Sequence, residues 1–241
     1  RRRLTGAVFP FAVSILAHGV KSSRQNPAFY DIINANVQGR RIFLHTAGKE
    51  SPPMEFEQLK QECLACRKCG LCETRTNVVF GTGPKTAEVM LIGEGPGKNE
   101  DEQGLPFVGR SGKLLDQYLT AVDLARDKNV FIANIVKCRP PENRDPLPEE
   151  WDACLPWLRE QFRIIRPKIV VCLGRIAAQR LIRPDISVTK EHGRFEEKNG
   201  VWFMATLHPA ALLRNPSQKP MAFEDFVALR EKINEVCDHT Y

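Results

Sequence analysis

The sequence has little that suggests a membrane protein, because its apolar run from Gly6 to Val20 is too short to span a bilayer comfortably. It also lacks net charge outside its first 53 residues. Those residues hold eight Lys or Arg and two Asp or Glu, which gives 8 − 2 = +6, and the remaining 27 basic and 27 acidic residues cancel. Overall charge therefore does not indicate nucleic-acid binding, and any such evidence must come from local basic clusters.

The first 53 residues contain no cysteine and no methionine, unlike the rest of the chain. They open with three arginines before the apolar run, which is typical of a signal or transit segment. Against that interpretation, Pro10 and His18 interrupt the run and the chain does not begin with Met. We expect residues 1–53 to be a non-core extension, either disordered or not native, with Met54 as the natural start and residues 54–241 forming one domain.

Four of the eight cysteines stand at every third position in the segment "ECLACRKCGLCETRT", residues 62–76. Cysteines so close together pair poorly as disulfides, whereas CxxC spacing lets thiolates converge on a metal from a tight turn. The run departs from the bacterial ferredoxin pattern, because Cys72 comes too early and Glu73 stands where that pattern has Pro. The residues alone leave zinc and iron–sulfur open. Cys172, inside the apolar stretch "KIVVCLG", is predicted to be core.

Apolar strand candidates alternate with helical patterns along residues 54–241. The strands are predicted at Val89–Ile92, Val130–Val136, Ile169–Leu173 and Val201–Leu207, and the helices at Ser111–Val122, Glu149–Ile165, Arg175–Ile182 and Ala222–Val236. Ser111 is the predicted N-cap of the first of these helices. The alternation predicts an α/β fold, a three-layer sandwich with a mostly parallel four-stranded sheet between helices.

Ligands of such sheets bind beyond the carboxyl ends of the strands, so the segments that follow each strand are the candidate site. The first of them, "GEGPGKNEDEQGLPFVGRSG", is neither a dinucleotide-binding GxGxxG nor a Walker A loop, since Asn99 follows Lys98 where Walker A has Ser or Thr. It supplies acidic residues instead, among them Glu94 and Glu100. Such carboxylates suit the positioning of a water molecule, although single loop carboxylates are more often merely solvated.

Three of these segments, "GEGPGKNEDEQGLPFVGRSG", "NIVKCRPPENR" and "HPAALLRN", in this order and spacing, resemble the family 4 uracil-DNA glycosylases. These are the iron–sulfur branch of the uracil-DNA glycosylase superfamily. The resemblance runs from about Cys66 to the C-terminal helix and does not include residues 1–53.

The resemblance implies a structural [4Fe–4S] cluster. Its ligands would be Cys66, Cys69, Cys138 and Cys154, with Cys63 and Cys72 as extra cysteines. A cluster there would stiffen a basic, DNA-facing loop that carries Lys137, Arg139 and Arg144.

The resemblance also implies an enzyme that flips uracil out of DNA and hydrolyses its glycosidic bond, leaving an abasic site for base excision repair. Phe107 would stack on the base, Asn134 would read its edge, and His208 would donate to its O2 as negative charge develops. Glu94 would hold the attacking water and Glu100 the C5 edge of the base. The backbone at Gly93 and Gly95 would complete the base pocket. No motif lysine is poised to form a Schiff base, so the enzyme is expected to be monofunctional.

DNA contacts are implied for a further set of residues. Leu212 and Leu213 would be exposed and wedge into the stack, and Arg214 would meet a phosphate. Ser111 and Lys113 at a helix start would hold another phosphate, and Arg139 would contact DNA from the loop after the second strand. The expected partner is uracil-containing DNA, single- or double-stranded. We expect a monomer that acts in the prokaryotic cytosol, without a membrane.

Two alternatives remain at this stage. One is a non-catalytic iron–sulfur binding or electron-transfer module built on the cysteine run, for which Glu94 and His208 would be dispensable. The other is a superfamily relative that acts on other deaminated bases or bonds covalently to DNA. Against the latter, no basic histidine-bearing insertion follows "PFVG".

Overall fold

The structure of the protein, a computed structural model, describes residues 54–241, so the predicted extension at residues 1–53 lies outside the described residues. Five strands form one sheet: β1 Val89–Gly93, β2 Val130–Asn134, β3 Ile169–Leu173, β4 Phe195–Lys198 and β5 Val201–Thr206. Their spatial order is β2-β1-β3-β5-β4. All neighbours pair in parallel except β4, which is antiparallel to β5.

The prediction of a mostly parallel sheet is confirmed, but the prediction of four strands is wrong, because β4 adds a fifth at the edge. The sequence of β4, "FEEK", is largely polar, so it lacks the buried apolar face that identifies the other strands. A hairpin signal was nevertheless present. Asn199 and Gly200 join β4 to β5 with φ angles of 51° and 80°, as the Asn-Gly turn of a tight hairpin requires.

Eight α-helices complete the described part of the chain. They are α1 Phe56–Leu64, α2 Lys98–Gln103, α3 Arg110–Ala121, α4 Pro148–Ile165, α5 Arg175–Leu181, α6 Val188–Glu191, α7 Pro209–Arg214 and α8 Lys219–Val236. The four predicted helices are all present as α3, α4, α5 and α8, and α4 continues through Pro156. Gly109 occupies the N-cap position of α3, so the prediction that Ser111 caps this helix is wrong.

Helices cover the sheet, as the predicted three-layer α/β sandwich requires. Every residue of β1, β2 and β3 is buried, which is typical of parallel strands that carry helices on their faces. Helix α5 packs on β1, β3 and β5, while α3 packs against α7 and α8, and α1 against α4. Cys172 is fully buried in β3, which confirms that it is a core residue. Among residues 54–241, no helix is long and apolar enough to cross a membrane.

A buried carboxylate attaches the end of the chain to the start of β1. The side chain of Glu88 is 4% exposed and accepts hydrogen bonds from the backbone N–H groups of Asp238 (2.8 Å) and His239 (2.9 Å) and from the hydroxyl of Thr240 (2.8 Å). Lys168 Nζ lies 3.0 Å from the same carboxylate. Burial by itself would raise the pKa of Glu88, but these donors outweigh it and lower the pKa from 4.5 to about 2.

We predict that Glu88→Gln destabilises the protein, because an amide presents its own N–H toward donors that need an acceptor. The ionised Glu88 should contribute on the order of 2 kcal/mol to unfolding free energy. Since its pKa is lower in the folded state, this contribution is complete above pH 4.5 and is lost as the pH falls toward 2. Denaturant titrations at pH 7 and pH 3 should therefore show a larger effect of the substitution at pH 7.

The matched control is Glu235→Gln, because Glu235 pairs with Lys232 at 2.6 Å but is 61% exposed. That variant should unfold with nearly the wild-type free energy. Equal unfolding free energies for Glu88→Gln and wild type at pH 7 would contradict the prediction.

Candidate active site

A cavity of about 490 Å³ opens at the carboxyl edge of the sheet. Parallel pairing brings the last residues of β1, β2, β3 and β5 to this edge, with Gly93 directly beside Asn134 in the register. Eight of the residues predicted for the site line the cavity: Glu94, Gly95, Glu100, Phe107, Ser111, Asn134, His208 and Arg214.

Asn134 carries an unpaired acceptor at this cavity. Its side chain is 2% exposed, and its Oδ1 has no hydrogen-bond partner within residues 54–241. Gly93 makes room for it, because a Cβ at Gly93 would lie 2.4 Å from Oδ1 and 2.7 Å from Cζ of Phe107. A buried acceptor without a partner is costly, so this oxygen is suited to a ligand that brings an N–H group.

The ring of Phe107 lies beside Asn134 and faces His208, with the two ring centroids 5.7 Å apart at an interplanar angle of 35°. Its backbone adopts a φ of 50°, which is unusual for a bulky residue. Close packing surrounds that backbone, since a Cβ at Gly112 would lie 1.8 Å from the carbonyl oxygen of Phe107. The ring therefore has a defined orientation at the cavity wall.

One oxygen of Glu100 holds the backbone that follows Phe107. Its Oε1 accepts hydrogen bonds from the N–H groups of Val108 and Gly109, both at 2.9 Å. This contact was not predicted, since the family resemblance implied only that Glu100 lies at the C5 edge of a base. Glu100 lines the cavity as well, so the same side chain both shapes the loop and borders the ligand space.

His208 begins α7 as its N-cap residue, and its Nδ1 accepts a hydrogen bond from the backbone N–H of Ala210 at 3.1 Å. In the neutral ring the proton therefore resides on Nε2, which is left as a donor for a ligand. Burial and the nearby Arg214 lower the pKa of His208 from 6.5 to about 4, so the ring is neutral near pH 7. Gly174 permits its position, because a Cβ there would lie 2.8 Å from Cβ of His208.

Glu94 follows β1 directly, and its carbonyl accepts from Val136 N at 3.1 Å, so the strand pairing continues past β1. Burial and the negative charge of Asp145 raise the pKa of Glu94 from 4.5 to about 7, while Arg175 opposes this shift. A carboxyl group with a pKa near neutrality is suited to general-base chemistry.

Asp145 and Arg175 were missed as site residues, although both line the cavity together with Arg144. Their side chains form an ion pair at 3.0 Å. The sequence held a signal for them, because each lies in a segment that follows a strand, and such segments form the site in this fold.

Several residues predicted to bind DNA lie outside the cavity lining. Lys113 is exposed on α3, Leu213 is half-buried, and Arg139 is half-buried with its Nε hydrogen-bonded to Asn143 at 2.8 Å.

The predicted exposure of Leu212 is wrong: it is 1% exposed, because the helix turns this residue into the core. The DNA-facing position predicted for Lys137 is also wrong, since its side chain is 1% exposed and donates to Asn134 O and Gln161 Oε1.

A second cavity is lined by sulfur. Its walls include the cysteines Cys66, Cys69, Cys72, Cys138 and Cys154. Three of these sulfurs accept hydrogen bonds from fixed N–H donors: Cys66 from Trp157 Nε1 at 3.3 Å, Cys138 from Arg75 Nη1 at 3.2 Å and Cys154 from Lys137 N at 3.1 Å. Cys63 is fully buried beside this group.

The thiols around this cavity come from three separate segments of the chain. In the described part of the chain, no three His, Cys, Asp or Glu side chains come close enough together to hold one metal ion. Burial raises the pKa of the Cys154 thiol to about 12 and also raises that of Cys138. These sulfurs therefore become thiolates when a cation replaces their protons, and N–H donors to sulfur are typical of iron–sulfur sites.

The model of the uracil DNA glycosylase superfamily matches residues 80–233, which include the whole sheet and all the residues of the first cavity. Several curated relatives carry the name type-4 uracil-DNA glycosylase, and three of them follow. That of Sulfurisphaera tokodaii is 46% identical over 186 residues, covering 73% of this chain and 84% of the relative. That of Archaeoglobus fulgidus is 41% identical over 190 residues, covering 76% and 93%. That of Saccharolobus solfataricus is 41% identical over 187 residues, covering 74% and 87%.

The matched relatives and the family model agree with the resemblance that the strand-end motifs carry. With 41% to 46% identity over most of both chains, these matches extend far beyond single motifs. The chain belongs to the uracil-DNA glycosylase superfamily, and within it to the type-4 uracil-DNA glycosylases.

Proposed function

We propose that this protein is a uracil-DNA glycosylase that flips uracil out of DNA and hydrolyses its glycosidic bond, initiating base excision repair. The observation that carries the proposal is the unpaired, buried Oδ1 of Asn134, which shares one cavity with Phe107 and His208. A base inside the duplex stack cannot reach such a cavity, so the target nucleotide must be extruded into it.

Asn134 selects uracil over cytosine. Its Oδ1 accepts from N3–H of uracil, and the same amide donates to O4 from its nitrogen. Cytosine has no N3–H and would leave the buried Oδ1 unpaired, which costs on the order of 1–3 kcal/mol. Phe107 stacks on the face of the base beside this edge.

His208 stabilises the leaving base. Cleavage of the glycosidic bond develops negative charge on uracil O2, and the Nε2–H of the neutral imidazole donates to it. The hydrogen bond from Ala210 N to Nδ1 fixes the tautomer, so no rearrangement is needed during the reaction. The backbone N–H groups at Glu94 and Gly95 add to this stabilisation.

Glu94 orients the attacking water and stabilises the positive charge that develops on the sugar. It acts as the carboxylate, and its raised pKa makes it a competent proton acceptor near neutral pH. None of the described residues that line the cavity is a lysine, so no Schiff base with the sugar is expected. The product is therefore an abasic site with an intact strand.

DNA contacts the residues at the mouth of the cavity. Arg144, Arg175 and Arg214 border it together with Ser111, and these donors suit phosphates on either side of the extruded nucleotide. Lys113 and Arg139 extend the contact along the backbone. Leu213 remains the candidate wedge, while the buried Leu212 supports it from the core. The enzyme acts as a monomer on chromosomal DNA in the cytosol.

Cys66, Cys69, Cys138 and Cys154 would hold a [4Fe–4S] cluster. When bound, it supplies structural cross-linking between the segment after α1, the segment after β2 and helix α4. The protein's own contribution is the set of N–H donors from Trp157, Arg75 and the backbone of Lys137. Cys72 lines the same cavity as a fifth thiol and Cys63 lies buried beside it.

The activity is tested with an oligonucleotide that carries one uracil, treated with the protein and then with alkali. We predict alkali-labile cleavage at uracil and none at cytosine or thymine. His208→Ala should lower kcat by about 10²- to 10³-fold, because one oxyanion donor is lost. His239→Ala is the matched control, since His239 is exposed at the opposite end of β1. No cleavage at uracil would refute the proposal, and cleavage at other deaminated bases with little at uracil would favour the alternative substrate class.

The pH profile tests Glu94. We predict that kcat/KM falls as the pH drops below about 7, because Glu94 must be ionised and its pKa lies there. Asp145→Asn removes a negative neighbour and frees Arg175, so it should shift this acid limb to lower pH. Asp152→Asn, an exposed carboxylate on α4, should leave the limb in place. An acid limb near pH 4.5 in wild type would contradict the assigned role.

The cluster is tested on purified protein by visible absorbance and iron content. We predict that Cys138→Ala loses both, since it removes one ligand and leaves Arg75 without its sulfur acceptor. Cys172→Ala is the control, because Cys172 is buried in β3 away from the sulfur-lined cavity, and it should retain both signals. Full iron content in Cys138→Ala would overturn the proposed ligand set.

A further inference from the structure

The aromatic platform of the cavity rests on a strained backbone. Phe107 has a φ of 50°, in the left-handed region that bulky residues rarely adopt. Such a conformation persists when the surrounding structure imposes it, and relaxation of φ to a negative value would swing the ring away from His208. Something must therefore hold the segment Pro106–Phe107 in place.

Arg126 makes that contact from outside the cavity. It lies between α3 and β2, and its Nη1 donates to Pro106 O at 2.8 Å while its Nη2 donates to Phe107 O at 3.0 Å. The planar guanidinium thus meets two consecutive carbonyl groups with two separate nitrogens, whereas a lysine ammonium would have to reach both from one nitrogen. Asp116 on α3 orients it, with Oδ1 accepting from Nε at 3.0 Å and from Nη2 at 2.5 Å.

Two other groups constrain the same loop, each in a different way. Glu100 accepts from the N–H groups that follow Phe107, and the missing Cβ of Gly112 lets α3 approach the Phe107 carbonyl. Arg126 fixes the carbonyl side of the loop. Unlike Glu100 and Phe107, it lies outside the set of described residues that line the cavity, so its substitution leaves the cavity wall chemically unchanged.

We propose that Arg126 is a positioning residue for the reaction, which orients Phe107 as the stacking platform by holding the two carbonyls of Pro106 and Phe107. The proposal rests on the proposed function, since it assumes that Phe107 stacks on the extruded base. Arg126 makes no contact with the base. It acts on the transition state through the ring, because a misoriented platform lets the base leave the alignment with Asn134 and His208.

The experiment compares Arg126→Met and Arg126→Lys with wild type on the uracil oligonucleotide, with kcat and KM measured separately. We expect kcat to fall about tenfold for Met and about threefold for Lys, which keeps the charge but has one donor nitrogen in place of the guanidinium fork, with KM within about twofold of wild type. The decisive measurement adds Arg126→Met to Phe107→Ala. If Arg126 acts through the ring, the double variant should have the kcat/KM of Phe107→Ala alone.

Arg230→Met is the matched control, because Arg230 pairs at 2.7 Å with Asp123 on the same connection but does not bond to Pro106 or Phe107. It should keep wild-type kinetics. Thermal unfolding of each variant separates folding from positioning. If Arg126→Met unfolds at the assay temperature, Asp116→Asn, which loosens Arg126 without removing it, should still lower kcat by about threefold.

The outcomes distinguish this inference from the proposed function. If wild type does not release uracil, the proposed function fails. If wild type is active and Phe107→Ala is impaired, but a folded Arg126→Met keeps its kcat or lowers that of Phe107→Ala by the same further factor, the positioning role of Arg126 is overturned while the glycosylase assignment stands.

Discussion

The site depends on the parallel register that sets Gly93 directly beside Asn134 at the ends of two neighbouring strands. A buried amide oxygen without a partner is unfavourable in the free protein, and it is tolerated because the sheet fixes its position and glycine leaves the space in front of it. A ligand that supplies one N–H group removes that cost. Under the proposed function, specificity for the base edge originates in strand pairing and not in a mobile loop.

Burial shifts the pKa values of two titratable residues that line the cavity, Glu94 and His208, in opposite directions. It raises the pKa of Glu94 to about 7 and lowers that of His208 to about 4, because in each case the charged form is disfavoured. The histidine is thereby kept neutral, as its proposed role as a donor to a developing anion requires, and the carboxyl group has the strength that its proposed role as a base requires. Burial in the same cavity thus produces both pKa shifts. The ion-paired Asp145 and Arg175 act in addition on Glu94, whose pKa the first raises and the second lowers.

The supporting contacts are concentrated around one aromatic ring. Phe107 has an unfavourable φ and is restrained in three ways. Arg126 bonds to its carbonyl group, Glu100 bonds to the N–H groups that follow it, and α3 packs closely against its backbone at Gly112. The sulfur-lined cavity lies on the other side of β2's end, where the buried Lys137 donates to the backbone of Asn134 and its own N–H to Cys154. Asn134, the residue proposed to read the base, is therefore connected through Lys137 to the sulfur-lined cavity as well as lining the first cavity.

Local patterns in the amino-acid sequence were sufficient to predict the alternation of strands and helices, the edge of the sheet that carries the site, and the family resemblance. These follow from local periodicity and from the rule that parallel strands expose their carboxyl ends together. Other features depend on packing between residues far apart in the chain. They include the burial of Leu212 and Lys137 and the contacts of Arg126 and Asp145 with other segments. Local sequence periodicity does not predict which side chain contacts which carbonyl group in a distant segment. Such contacts are set only when the helices pack on the sheet.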